Sequence, residues 1–154
     1  MKIFIMRHGE AEHFAQSDEQ RELTDRGRSA SVAVARVCAE KGFAHFDRVL
    51  VSPYIRAQQT WQEISACFTT DHVETCADIT PYGDSEQVAD YVAALVDLHK
   101  LESVLIVSHL PLVGYLTAEF VTDMIPPMFP TSGLVSIDYS PEKLSGELIF
   151  NIHP

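Results

Sequence analysis

The strongest constraint on the fold is a set of short apolar runs that have no polar face. Ser103–Ser108 reads Ser-Val-Leu-Ile-Val-Ser, Lys2–Arg7 encloses Ile-Phe-Ile-Met, and Arg48–Ser52 encloses Val-Leu-Val. A strand with one wet face alternates apolar and polar side chains, whereas a strand that is apolar throughout is covered on both sides. Between these runs the period becomes helical. Ala30, Val34, Val37 and Cys38 recur after Thr24, which is placed to cap a helix that stops at Lys41-Gly42. Pro53 suits the first turn of a second helix, reaching about Phe68. Asp84, with Gln87 in the capping-box position, opens a third helix to about His99, and a fourth follows His109-Leu110-Pro111 to about Met124. A weaker strand is expected at Val73–Cys76, and two closing strands at Leu134–Tyr139 and Leu148–Ile152, with Ser140-Pro141-Glu142 and Ser145-Gly146 as turn material. The order β-α-β-α-β-α-β-α-β-β predicts an α/β fold of three layers, with a mostly parallel central sheet and helices on both faces. Residues 1–154 form one domain in this reading.

The charge limits the partners. Lys and Arg total 11 against 22 Asp and Glu, for a formal net charge of -11. Nucleic acid and anionic membrane surfaces repel such a chain, so neither is expected as a partner. Any phosphate ligand must be held by a local cluster of the few cations. Cys38, Cys67 and Cys76 are odd in number and lack paired short spacing, which predicts free thiols in a reducing cytoplasm rather than disulfides or a zinc site. Arg7 interrupts the first apolar run well short of the about 7–15 residues of a secretory core. No stretch approaches the about 20 apolar residues of a membrane span.

In an open α/β sheet, ligands bind beyond the carboxyl ends of the strands. At those ends lie Arg7-His8-Gly9, Ser52-Pro53 with Arg56 one turn into the following helix, and Ser108-His109. Two guanidiniums able to fork around a tetrahedral anion and two imidazoles thus collect at one crevice, where a helix N-terminus adds free N–H groups.

Those residues carry a resemblance. Arg7-His8-Gly9-Glu10 resembles the R-H-G signature of the histidine phosphatase superfamily. Ser52 to Thr60 (Ser-Pro-Tyr-Ile-Arg-Ala-Gln-Gln-Thr) is similar to its S-x-x-x-R-A-x-Q-T motif, Ser108-His109-Leu110-Pro111 to the motif with its second histidine, and Leu23-Thr24-Asp25-Arg26-Gly27 to its L-T-x-x-G helix start. R-H-G alone is weak, but four motifs in order at the right termini are specific. The segments Ile79–Asp84, His109–Leu116 and Pro126–Phe129 resemble the SixA-type subgroup, the phosphohistidine phosphatases.

The resemblance implies a phosphoglycerate-mutase-like fold and a mechanism without metal or other cofactor. Neutral His8 attacks phosphorus in line, its second ring nitrogen oriented by an acceptor such as a nearby backbone carbonyl. Arg7 and Arg56 neutralise the equatorial oxygens, and His109, expected to be protonated, donates to one of them. Arg21, Gly9 and Ser52 are expected to contact substrate. His13, His45, His72, His99 and His153 match no motif and read as surface.

The acid that protonates a departing alkoxide is not placed by sequence. Glu10, Asp18 and Asp84 are open candidates. A P–N substrate would relieve the need, because phosphoramidate nitrogen can be protonated in solution. The expected substrate is therefore phosphohistidine on a histidine-containing phosphotransfer domain or a similar phosphocarrier, met by a monomer, with Met128-Phe129 either an apolar lip or a core-filling turn. A broad-specificity small-molecule phosphomonoesterase and a non-catalytic phosphohistidine-binding module are the alternatives.

Overall fold

The computed structural model describes all 154 residues. Its strands are β1 (Lys2–Arg7), β2 (His45–Phe46), β3 (Arg48–Val51), β4 (Thr69–Thr70), β5 (Val73–Thr75), β6 (Ser103–Ser108), β7 (Leu134–Ser140) and β8 (Ser145–Ile152). Its helices are α1 (Asp25–Glu40), α2 (Ile55–Ile64), α3 (Ser85–His99) and α4 (Leu112–Phe120). Six strands form one sheet in the order β5-β3-β6-β1-β7-β8, while β2 and β4 pair separately. β5, β3, β6 and β1 run parallel to one another, while β7 pairs antiparallel with β1 and β8 antiparallel with β7.

Strand pleating divides the apolar runs between two cores. Ile3, Ile5, Leu50, Val104 and Ile106 face α3 and α4, where they meet Val88, Val92, Val113 and Leu116. Phe4, Met6, Val49, Val51, Leu105 and Val107 face α1 and α2, where they meet Val34, Ala35, Ala57 and Ile64. Successive side chains point to opposite faces, so an uninterrupted apolar strand serves both layers. The three-layer architecture with helices on both faces follows.

The helix caps follow side-chain chemistry. Thr24 accepts from the Gly27 N–H and Asp84 from the Gln87 N–H, each satisfying one free donor of a first turn. Gly42 takes a left-handed φ of 99° just beyond α1, where glycine carries no Cβ penalty.

Several boundaries differ from expectation. Pro53 precedes the cap residue Tyr54 rather than opening α2, and α2 ends at Ile64 before a 3-10 turn at Ser65–Cys67. α4 stops at Phe120 because Val121 turns extended and bridges to Gly146. Ser145 and Gly146 belong to β8, opposite Ser140 and Tyr139, which moves the turn to residues 141–144. The two-residue strands β2 and β4 carry no period that a sequence reading could detect.

The three thiols are unpaired, with Cys38 and Cys76 buried on opposite sides of the sheet. No helix is long and apolar enough to cross a membrane.

One backbone contact ties α1 to the loop after β1. A Cβ placed on Gly27 would lie 2.2 Å from the backbone oxygen of Glu10. Alanine gains about 1 kcal/mol over glycine in a helix interior, whereas overpacking against backbone costs about 1–3 kcal/mol. The clash is severe, so the second effect dominates. Gly27→Ala is expected to lose about 1–2 kcal/mol, or about 3–8 °C in Tm by calorimetry; an unchanged or raised Tm would show that the loop yields.

Candidate active site

Strand register assembles the site. Arg7 pairs with Ser108, and Val51 with Val107, so the carboxyl ends of β1, β6 and β3 finish level. The chain continues in register for one more residue: the His8 N–H donates to Ser108 O at 2.9 Å, and the Ser52 N–H to Val107 O at 3.1 Å. His8, His109 and Ser52 therefore stand side by side at one edge. α2 starts there, with no carboxylate in its first turn, and brings Arg56 inward.

These groups open into a cleft of about 400 Å³, whose lining includes Arg7, His8, Asp18, Arg21, Arg56 and His109. A larger depression of about 570 Å³ lies along the β7–β8 hairpin, but it contains neither arginine nor histidine. Chemistry rather than size marks the smaller cleft as the candidate site.

His8 is buried, at 6% exposure. Its Nδ1 lies 2.7 Å from the carbonyl of Gly9. A carbonyl can only accept, so Nδ1 carries the proton and Nε2 presents a lone pair. The Arg56 Nε–H points at that Nε2 from 3.3 Å. Burial, reinforced by Arg56, Arg7 and Arg21, outweighs the bond to Gly9 and pushes His8 down to about 3. The ring is therefore neutral at neutral pH, with Nε2 unprotonated.

His109 lies beside it, with ring centroids 4.9 Å apart. Its Nε2 is 2.7 Å from Ser52 Oγ, which also accepts the Tyr54 N–H at 3.3 Å. The Ser52 O–H can donate to Nε2, and in that tautomer the ring proton sits on Nδ1. Burial comes first, then His8 and the three arginines, in holding His109 down to about 2. The expectation of a protonated His109 is corrected: burial, with four cationic or imidazole neighbours, keeps the ligand-free ring neutral. A neutral Nδ1–H remains a donor, and this atom has no hydrogen-bond partner within the protein.

The arginines are held at their edges. Arg7 Nη1 donates to Phe129 O at 2.9 Å, while its buried Nε is unpaired within the protein. Arg56 stacks over the Tyr54 ring at 5.0 Å and donates through Nη1 to Asp18 O. Arg21 bonds Asp18 at 2.9 Å and lines the cleft.

Other expected contacts go elsewhere. Ser52 is fully buried and turned to His109, so it orients the ring instead of meeting a ligand. The Gly9 N–H donates to Thr60 Oγ1, so Gly9 acts through its carbonyl on His8 and through its lack of a side chain against Gly27 and Ser31. Asp84 caps α3 and takes no part in the cleft lining. Asp18 is held below the usual carboxylate range by Arg56 and Arg21, which overcome the opposing effect of its partial burial. Glu10 lines the cleft and accepts from the Thr24 hydroxyl at 3.0 Å. Phe129 is core, at 3% exposure, and only Met128 is exposed.

Three contributors were not singled out from sequence. Tyr54 and Thr60 stand inside the second motif but carry no charge to mark them. His13 lines the cleft although no motif includes it.

The model of the histidine phosphatase superfamily (branch 1) matches residues 3–80. Phosphohistidine phosphatase SixA of Escherichia coli strain K12 is 43% identical over 138 residues, covering 89% of this chain and 84% of that protein. The chain belongs to the histidine phosphatase superfamily. As a member it is a phosphatase, with the mostly parallel, helix-covered sheet of that superfamily. A SixA homologue of Haemophilus influenzae is 44% identical over 126 residues, 77% of this chain and 76% of its own. A solved structure of the protein histidine phosphatase SixA in complex with tungstate superposes with a TM-score of 0.93 at 40% identity, covering 99% of this chain and 97% of that one.

The lowered histidine values fix the sign of the pH dependence. Below about pH 6.5 the unfolded chain protonates these rings. Folded His8 resists until about 3 and His109 until about 2. Their contribution to stability is therefore intact above the unfolded value and is lost as pH falls through this window. In a ¹⁵N NMR titration from pH 7 to 5, the His8 ring nitrogens are expected to keep their neutral-tautomer shifts; a midpoint near 6.5 would contradict this assignment.

Proposed function

We propose that this chain is a protein phosphohistidine phosphatase that works through a phosphorylated His8. The observation that carries the reading is a buried neutral His8, its proton fixed on Nδ1 by Gly9 O and its Nε2 lone pair in a cleft with three guanidiniums. In the first step Nε2 attacks phosphorus, the bond to the leaving nitrogen breaks, and that imidazole leaves neutral after taking a proton from solvent. In the second, water attacks phospho-His8, releasing inorganic phosphate and restoring the ring. Arg7 and Arg56 neutralise the equatorial oxygens, and the His109 Nδ1–H donates to one of them. Arg7 Nε and His109 Nδ1 support this role. A buried polar atom without a partner costs about 1–3 kcal/mol, which an arriving phosphoryl oxygen would relieve.

The substrate is phosphohistidine on a phosphotransfer domain or phosphocarrier, met by a cytoplasmic monomer that drains signalling phosphate. The names of the similar proteins support the phosphohistidine class, and a tungstate complex of one of them suits a tetrahedral oxyanion site. The cleft edge supports a macromolecular partner. Phe14 and Tyr82, exposed at 93% and 84%, directly follow the cleft residues His13 and Pro81. Asp18 is ionised between arginines and Asp84 is committed to a helix cap, which leaves Glu10, held by the Thr24 hydroxyl, as the remaining candidate acid in the cleft. A P–N bond needs no such acid, since its nitrogen can be protonated by solvent.

The test uses a ³²P-labelled histidine phosphotransfer domain and phosphoserine as parallel substrates. The wild type should release phosphate from phosphohistidine far faster than from phosphoserine. His8→Ala should release none, and Arg7→Ala or Arg56→Ala should lose about 10²–10³-fold with the far-UV spectrum unchanged. Turnover by His8→Ala, or an equal rate on phosphoserine, would defeat the reading.

A further inference from the structure

The structure gives Asp18 a role beyond that of a candidate acid. Arg56 has five N–H donors, and Asp18 occupies two of its three nitrogens. Nη1 donates to the Asp18 backbone oxygen at 2.6 Å, and Nη2 to Asp18 Oδ2 at 3.2 Å. The other carboxylate oxygen, Oδ1, accepts from Arg21 Nε at 2.9 Å. One side chain therefore joins two guanidiniums that would otherwise repel each other. Arg56 is nearly sealed, with a side chain at 4% exposure, while the Asp18 side chain is 49% exposed. Asp18 thus closes the solvent side of the buried arginine.

The consequence falls on the reacting atom. A guanidinium is planar and rigid, so fixing Nη1 and Nη2 also fixes the direction of Nε. That Nε–H is the group that meets His8 Nε2 at 3.3 Å. The remaining Nη hydrogens, one on each nitrogen, stay unclaimed by Asp18.

We propose that Asp18 is a positioning residue: its bridge between Arg56 and Arg21 sets the orientation in which Arg56 faces both the His8 lone pair and an incoming phosphoryl group. The inference rests on His8 being the nucleophile. It gives the 3-10 turn Asp18–Gln20 a purpose, because the same Asp18 carbonyl that closes this turn on the Arg21 N–H at 3.3 Å also receives Arg56. It also assigns opposite effects to the loss of one carboxylate. Anion binding gains from the added positive charge, while turnover loses alignment.

The experiment compares wild type, Asp18→Asn, Asp18→Glu and His8→Ala on 4-nitrophenyl phosphate and phenyl phosphate, with inhibition by inorganic phosphate measured alongside. Asp18→Asn is expected to lose about 10–100-fold in kcat by the same factor on both esters. Its phosphate inhibition constant should stay equal or tighten, and Asp18→Glu should recover part of kcat. The Arg56 Nε–H resonance of the ligand-free protein should broaden or shift in Asp18→Asn and persist in Asp18→Glu, a readout that needs no turnover. A larger loss on phenyl phosphate, the poorer leaving group, would make Asp18 an acid and overturn the inference. So would wild-type kcat in Asp18→Asn, or an unmoved Arg56 resonance. Turnover by His8→Ala would instead defeat the underlying function, so the two failures are distinguishable.

Discussion

The bond from His8 Nδ1 to the carbonyl of Gly9 governs the rest of the site. It selects one tautomer, and that choice puts the lone pair on the nitrogen facing Arg56. The carbonyl can sit there only because residue 9 has no side chain: a Cβ at Gly9 would lie 2.7 Å from both Gly27 O and Ser31 Oγ. The loop after β1 is thus pressed on the start of α1, and Thr60 anchors it from α2 by accepting the Gly9 N–H. Two helices and a strand end cooperate to aim one ring nitrogen.

The electrostatics invert those of the whole molecule. The chain is strongly acidic, yet its cleft gathers Arg7, Arg21 and Arg56 around two neutral imidazoles. The buried cations lower the tendency of each histidine to protonate, beyond what burial alone does. The arginines that line the cleft thus help to keep the Nε2 of His8 unprotonated. Attraction is confined to the cleft, and the surrounding field opposes anions that lack a specific fit.

Much of this was legible in the sequence because the relevant signals are local. The apolar runs of β1, β3 and β6 named the buried strands, and their final residues named His8, Arg56 and His109. Thr24 and Asp84 announced their helices by capping chemistry. What escaped depends on packing. Nothing in Ser52 indicates whether its hydroxyl meets a ligand or a histidine; the level ends of β3 and β6 decide that. The neutral state of His109 follows from burial and from neighbours far apart in sequence. Phe129 looked like a candidate lip but fills the core, contributing to the cleft only a carbonyl for Arg7.

The buried cysteines give the enzyme a chemical character of its own. Burial pushes Cys38 up to about 12 and raises Cys76, so neither forms the thiolate on which oxidants act. They lie on opposite faces of the sheet and cannot join, and no cysteine lines the cleft. The proposed nucleophile is nitrogen and the cleft lining holds no sulfur, so peroxide has no sulfenate to form there. Dephosphorylation at such a cleft would need no thiol kept reduced.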